Sequence, residues 1–389
     1  MSFFLRFFLC CTGFAWLALT GCSSTPTLPP LTGDLPLPQA VGMAADDAMR
    51  RMADGRGAAR WWGRSTPVYV APVLDALSRQ QTVTTVRVRE LVVAHLKTQH
   101  RGLTLVPFTS DAASLSDVRL DTTLTAVALP DGRRATDRLQ LDLRLVSLLD
   151  GRTLARSVAM VADPGLDSTP VAFYRESPFT MGPPTPVETP APLTERERTV
   201  PIARLDEAGL AYSAGRYDRA LTLYRSAEAL PGADAMQALV GSYLASVRSG
   251  REEESREAFA RIVTLGLGTR TMGVKLLFAP GKTEYIEDAA ISRPYPDWVR
   301  EIARQAGQAT SCLQVIGHSS RTGAQDYNLT LSAQRAVAVR DQLEAANPAL
   351  ARRVGTAGVG WSENLVGIGS DDLKDAVDRR VEFKVVDCR

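Results

Sequence analysis

Histidine is scarce in this chain: three among 389 residues, too few for a histidine-rich metal site. Cysteine is nearly as scarce. The five stand at positions 10, 11, 22, 312 and 388, with no C-x-x-C pair and no second cluster to hold zinc. Charge of one sign is missing as well. Lys and Arg number 45 against 43 Asp and Glu, a net charge of +2. No basic run suits a nucleic acid, and no acidic block makes a solvating tail. G-x-S-x-G, H-E-x-x-H, P-loop and dinucleotide-binding patterns are all absent. The chain is therefore read as non-enzymatic, with no cofactor and no nucleic-acid partner. What is present is a globular composition, 45% hydrophobic and 23% charged, over a length that holds two or three domains.

The first 22 residues read MSFFLRFFLCCTGFAWLALTGC. One charge, Arg6, precedes an apolar run from Phe7 to Leu19. That run is shorter than the roughly 20 residues a membrane-spanning helix needs and matches the core of a signal peptide. Leu19-Thr20-Gly21-Cys22 resembles a bacterial lipobox. The resemblance implies a signal peptide over 1–21, lost together with Cys10 and Cys11, and acyl chains on Cys22. The alternative is an ordinary secretory signal with a chance cysteine. Two or three acyl chains, at about 0.8 kcal/mol per buried CH₂, anchor stably where one is marginal. Ser23, where inner-membrane lipoproteins carry Asp, implies an outer-membrane address facing the periplasm.

Residues 22–60 are read as the lipidated N-terminus and a Pro-rich tether, since SSTPTLPPLTGDLPLPQA at 23–40 cannot build a core. A second Pro-rich segment, 166–200, reads as a linker. Between them, 61–165 has mixed α/β patterning. Thr66–Val73 is β-rich, Thr85–Thr98 has helical spacing, and Leu103–Pro107 is a short strand. Val118–Leu129 and Leu139–Leu149 alternate, the latter with Leu139, Leu141, Leu143 and Leu145 on one face. Asp150-Gly151 is a turn signal before Thr153–Ala162. This β-α-β-β-β order, with VAPVLDA early, resembles the periplasmic α/β domain of the CsgG, LpoB and flagellar-lipoprotein group, whose domain contacts protein partners. A generic α/β domain is the alternative.

Residues 201–268 are helical and repetitive. Ala208, Tyr212, Gly215, Tyr217, Ala220, Leu221, Tyr224 and Ala227 carry tetratricopeptide spacing, and Tyr243, Gly250, Ser255, Phe259 and Ile262 carry a weaker copy. Gly215 and Gly250 lie 35 residues apart, near the ~34-residue tetratricopeptide period. Two repeats are fewer than the three or so that stand alone, so they are expected to lean on the next domain. They make either a groove for a partner or a helical spacer.

Residues 269–389 carry the most specific pattern: GVKLLFAPGKTEY, then VIGHSSRTGAQDYNLTLSAQRAVAVRDQL, then DRRVEFKVV. Strands are expected at Val274–Phe278, Cys312–Gly317, Arg353–Gly360 and Arg380–Val386. Helices are expected at Pro296–Ala306 and at Leu331–Leu343, the second capped by Thr330 or Ser332. These stretches resemble the OmpA-like periplasmic domain, which implies a β-α-β-α-β-β fold. The whole chain is thus a multidomain α+β protein: an N-terminal mixed α/β domain, tetratricopeptide-like hairpins and an OmpA-like C-terminal domain.

The resemblance implies recognition of diaminopimelate in the peptidoglycan stem peptide, whose ammonium and carboxylate need an anion beside a donor fork. Arg335 matches the family arginine, which can hold a carboxylate bidentately. Asn328 matches the site-ordering asparagine. Asp378, Arg379 and Arg380 match the family's DRR, one arginine flanking the ligand and the other structural. The family Asp falls on Ser320, and Asp326 in the same loop is the candidate substitute. Losing a charge-assisted hydrogen bond costs about 1.5–3 kcal/mol, so this implies weak binding, an amidated stem peptide or a module kept as scaffold. His318, at a strand end, reads as a packed or surface histidine. In the family sheet the second and last strands are antiparallel neighbours, which places Cys312 beside Cys388 for a disulfide in the oxidising periplasm. The function expected is an outer-membrane lipoprotein that docks on peptidoglycan and scaffolds envelope proteins. The alternative is an assembly scaffold that does not bind peptidoglycan.

Overall fold

The computed structural model describes residues 33–55, 65–180 and 192–388. The signal segment, Cys22 and part of each Pro-rich stretch lie outside them.

The segment read as a tether contains helix α1, Leu37–Asp54. Its Leu37, Ala40, Val41, Ala44, Ala45 and Ala48 are fully buried, an apolar stripe at helical spacing. The residues are mostly alanine, which hid the stripe behind the Pro-rich composition upstream. Small side chains let the helix lie close on a sheet, and the chain just before it already pairs with that sheet, Ala162 N donating to the Leu35 carbonyl at 2.9 Å.

That sheet is built from β1 (Thr66–Val70), the two-residue β2 (Leu74–Asp75), β3 (Leu103–Leu105), β4 (Val118–Ala128), β5 (Arg134–Ser147) and β6 (Thr153–Ala162), with helices α2 (Val83–Gln99) and α3 (Ser110–Ser114) between strands. The order is β3-β1-β4-β5-β6, with β2 on β4. β3 and β4 run parallel to β1, and β4, β5 and β6 form an antiparallel meander. Leu139, Leu141, Leu143 and Leu145 share the buried face, as the period of two requires. Gly151 turns the chain at φ +72°. Thr82 and Thr85 close a reciprocal cap on α2.

The described residues of the second Pro-rich segment also contribute helices. They hold α4 (Ala172–Glu176) and the start of α5 (Glu195–Ser213). Thr194 accepts from Glu197 N while Glu197 accepts from Thr194 N, a capping box legible as T-E-R-E. Pro201 lies inside α5, so it is not the breaker that its residue type suggests. Helices α6 (Tyr217–Glu228), α7 (Ala235–Arg248) and α8 (Glu252–Thr269) follow. Each packs on its neighbour, and Gly215 and Gly250 turn the two hairpins, both at φ +70°. The hairpins lean on the last domain: Phe259 stacks on Trp298 at 5.2 Å, and Trp298 Nε1 donates to Tyr243 Oη at 3.0 Å.

The last domain comprises β7 (Leu276–Leu277), α9 (Ala289–Ser292), α10 (Tyr295–Gln308), β8 (Cys312–Gly317), α11 (Gln325–Ala346), β9 (Val354–Gly358) and β10 (Arg380–Val386). Apart from the single-turn α9, this is the expected β-α-β-α-β-β succession. The sheet order is β7-β10-β8-β9, with β10 antiparallel to both β7 and β8. Cys312 and Cys388 are bridged, with Cα atoms 5.0 Å apart. Helix α11 begins six residues earlier than expected, so Thr330 and Ser332 lie inside it and cap nothing. Ala324 stands at its N-cap without a side-chain cap. Among the described residues, no helix is long and apolar enough to cross a membrane.

Candidate functional site

The site lies where α11 crosses the sheet. Glycine makes that crossing close. A Cβ on Gly317 would stand 1.9 Å from the Ser332 carbonyl, and one on Gly358 would stand 2.3 Å from Ala333 N. Only glycine allows such contact, and the contact fixes where α11 aims Arg335.

Arg335 is fully buried. Its Nε donates to the Lys282 carbonyl at 2.9 Å, Nη1 to His318 at 3.0 Å and Nη2 to Ala279 at 2.9 Å. The guanidinium lies 5.3 Å from the Phe278 ring. Burial, reinforced by the Arg379 charge, pushes its pKa down to about 10. The guanidinium therefore reaches three backbone segments and, among the described residues, carries a charge that no carboxylate touches directly. Asn328 donates to the Thr322 and Ala324 carbonyls at 2.7 and 3.0 Å. These two bonds tie Asn328 to the loop between β8 and α11.

Ser320 is buried, and its hydroxyl donates to Asp371, a residue the sequence reading did not select. Asp371 sits in the long β9–β10 connection in the left-handed region, at φ +54°. Its backbone N–H donates to Asp375 at 3.1 Å. Its side chain keeps 31% of its surface exposed and lies 3.4 Å from Arg379 Nη1. Arg335 also feels its charge. Asp326, the substitute suggested by sequence, is exposed in the first turn of α11. The available signal was the run Ser370-Asp371-Asp372-Leu373-Lys374-Asp375 just before DRR, three acids against one base.

The two arginines of DRR divide. Arg379 faces the site, pairing with buried Asp375 at 2.6 Å and donating to the Asp372 carbonyl at 2.9 Å. Arg380 points elsewhere and pairs with Glu382 at 2.9 Å. Asp378 accepts from Leu365, Val366 and Gly367 N at 2.7, 3.0 and 2.7 Å, which knits the same connection together. His318 is buried, with Nε2 3.3 Å from Glu382 but without hydrogen-bond alignment. Burial pushes its pKa down.

An exposed-edged carboxylate thus stands among a hydroxyl and two buried guanidinium groups. Such a set can take an ammonium on the carboxylate and an anion on the cationic side.

Residues 278–376 match the OmpA family. Solved structures with similarity to the chain include the peptidoglycan-associated lipoprotein from Burkholderia pseudomallei, at 20% identity, covering 28% of this chain and 88% of that one with a TM-score of 0.23. The periplasmic domain of Helicobacter pylori MotB is similar at 16% identity over 29% of this chain and 77% of that one, TM-score 0.23. The cell wall anchor of the T6SS from Pseudomonas aeruginosa is similar at 23% identity over 33% of this chain and 96% of that one, TM-score 0.24. No curated protein matches the chain.

Proposed function

We propose that this protein is an outer-membrane lipoprotein, acylated on Cys22, whose C-terminal domain docks on the peptidoglycan stem peptide. The observation that carries the reading is the Ser320–Asp371 contact beside Arg379. Asp371 supplies, from the β9–β10 connection, the anion that Ser320 cannot. A ligand ammonium meets Asp371, and its carboxylate meets the field of Arg335 and Arg379. Asn328 holds the facing loop, and Arg380 acts as a structural partner of Glu382.

The test is co-sedimentation of the chain from Ser23 onwards with peptidoglycan sacculi. The isolated C-terminal domain is a poor substitute, because Trp298 would lose Phe259 and Tyr243. Wild type is expected to sediment. Asp371→Asn is expected to bind about 10- to 150-fold more weakly, the cost of a charge-assisted hydrogen bond. A C22S chain should lose acyl labelling and membrane association.

A second reading is favoured by the Arg335 geometry. An arginine held by three backbone carbonyls serves the fold whether or not a ligand comes. On this reading the domain is an assembly scaffold and the N-terminal domain and hairpins carry the protein partners. Wild type that stays in solution beside sacculi would select it.

A further inference from the structure

Two of the three histidines, distant from the OmpA-like domain in sequence, converge on one oxygen. His95 Nε2 lies 2.7 Å from Asp46 Oδ1, and His100 Nε2 lies 2.8 Å from the same atom. We propose that Asp46, His95 and His100 form a binding site for a divalent transition-metal ion of the zinc type.

The backbone makes this convergence. A five-residue spacing on one continuous helix puts side chains about 140° apart, on different faces. Helix α2 ends at Gln99, and His100 leaves the helical path at φ −120°, ψ 68° while its N–H still donates to the Leu96 carbonyl. Its ring thereby returns to the side that His95 occupies. The rings stand 6.0 Å apart and tilted by 52°, so both present the same nitrogen to one point without stacking.

The facing helix leaves room for them. Gly42 lies in the middle of α1, one turn before Asp46, and a Cβ there would stand 3.1 Å from His95 Cε1 and 3.3 Å from Nδ1. Glycine is a poor helix former, and in the buried centre of α1 it clears the space that seats the His95 ring.

The chemistry suits a borderline cation. Two imidazoles and one carboxylate are ligands that zinc, nickel and copper(II) accept, at about 2.0–2.2 Å for zinc. The three ligand atoms lie within 4.8 Å of one another. A tetrahedral ion at those bond lengths needs ligand atoms roughly 3.3 Å apart, slightly wider than the present contacts. Asp46 is 55% exposed, so its carboxylate has freedom to open, and further positions on the ion face solvent. Among the described residues, Asp46 has no Arg or Lys ion-pair partner, only the two histidines. His318, Glu363 and Glu382 also cluster, but Arg380 pairs with Glu382 and reaches the Glu363 carbonyl, which places a cation there already. An ion at Asp46 would cross-link α1 to α2 across the outer layer of the N-terminal domain.

The test is calorimetric titration with zinc chloride of the full chain, prepared without a polyhistidine tag and with Cys10, Cys11 and Cys22 replaced by serine. One equivalent is expected to bind. Asp46→Asn and His100→Gln should each weaken binding about tenfold or more, and His318→Gln should leave it unchanged. Circular dichroism and melting in chelator establish that each variant is folded. Cobalt(II) absorption gives a second readout, its bands appearing in wild type and vanishing in Asp46→Asn. No stoichiometric uptake by wild type, equal affinity in folded Asp46→Asn, or loss of binding only in His318→Gln would each overturn the proposal.

Discussion

Arg89 on α2 holds Asp206 on α5 bidentately, with Nη1 and Nη2 donating at 2.9 and 2.6 Å across the junction between the N-terminal domain and the hairpins. Tyr69 Oη also donates to Asp206 at 3.0 Å, and Arg89 reaches the Val70 carbonyl. Both charged side chains are buried. Breaking a buried pair from one side leaves an uncompensated charge, at a cost of about 3–5 kcal/mol. Asp206→Ala should lose about that much in urea unfolding. The double variant R89M/D206L should lose far less, because no orphaned charge remains. Equal losses in the single and double variants would mean that the pair does not act as a unit.

Lys275 gives a pH signature. It is buried just before β7, with Nζ donating to the Tyr174 carbonyl at 3.0 Å. Burial, aided by the Arg380 charge, pushes its pKa down to about 7, against roughly 10.4 in the unfolded chain. Between those values the unfolded chain binds more protons than the folded one. Stability from this group therefore rises as pH goes from about 7 towards 10, and flattens below about 7. Lys275→Met removes that slope. The stability of the Met variant minus that of wild type should be largest near pH 7 and shrink as the pH rises to about 9.5. A difference independent of pH would show that Lys275 does not titrate in this window.

The Cys312–Cys388 bridge joins the start of β8 to the chain just past β10. Its sequence separation is 76 residues, for which chain entropy gives about 4 kcal/mol at the upper end. Reductant or Cys388→Ser should lower the urea midpoint accordingly. The chain from Ser23 onwards, denatured without reductant, should label no thiols. Two labelled thiols would exclude the bridge.

Legibility followed pattern strength. β5 was readable because one face repeats leucine every second residue, and β10 because Arg380–Val386 follows a specific motif. α1 was not, because an alanine stripe after prolines looks like linker. The first turns of α5 were hidden by the Pro-rich composition of the stretch before them, although Thr194 and Glu197 wrote a capping box there. The motif pointed to Arg335, Asn328 and Ser320 as candidates, while Asp371 gave no sequence signal of its contact with Ser320, because it arrives from 51 residues away in a connection with no periodicity. His95 and His100 looked unrelated to Asp46 because only the docking of α1 on α2 joins them.

If Asp371 stands in for the family aspartate, the two positions should be interchangeable. Ser320→Asp alone puts a second carboxylate against Asp371. Like charges that close resist joint ionisation, so one is neutralised or displaced, and Ser320→Asp should bind sacculi no more tightly than wild type. Asp371→Ser alone should lose binding. The double variant S320D/D371S returns the single carboxylate to the β8–α11 loop beside Arg379 and should bind like wild type. The sedimented fraction of the four proteins decides. Stronger sedimentation of Ser320→Asp alone would mean that Asp371 is not the acceptor and that the wild-type site lacks its anion. A double variant as weak as Asp371→Ser would mean that the carboxylate works only from the β9–β10 connection, where Asp375 and Arg379 hold it.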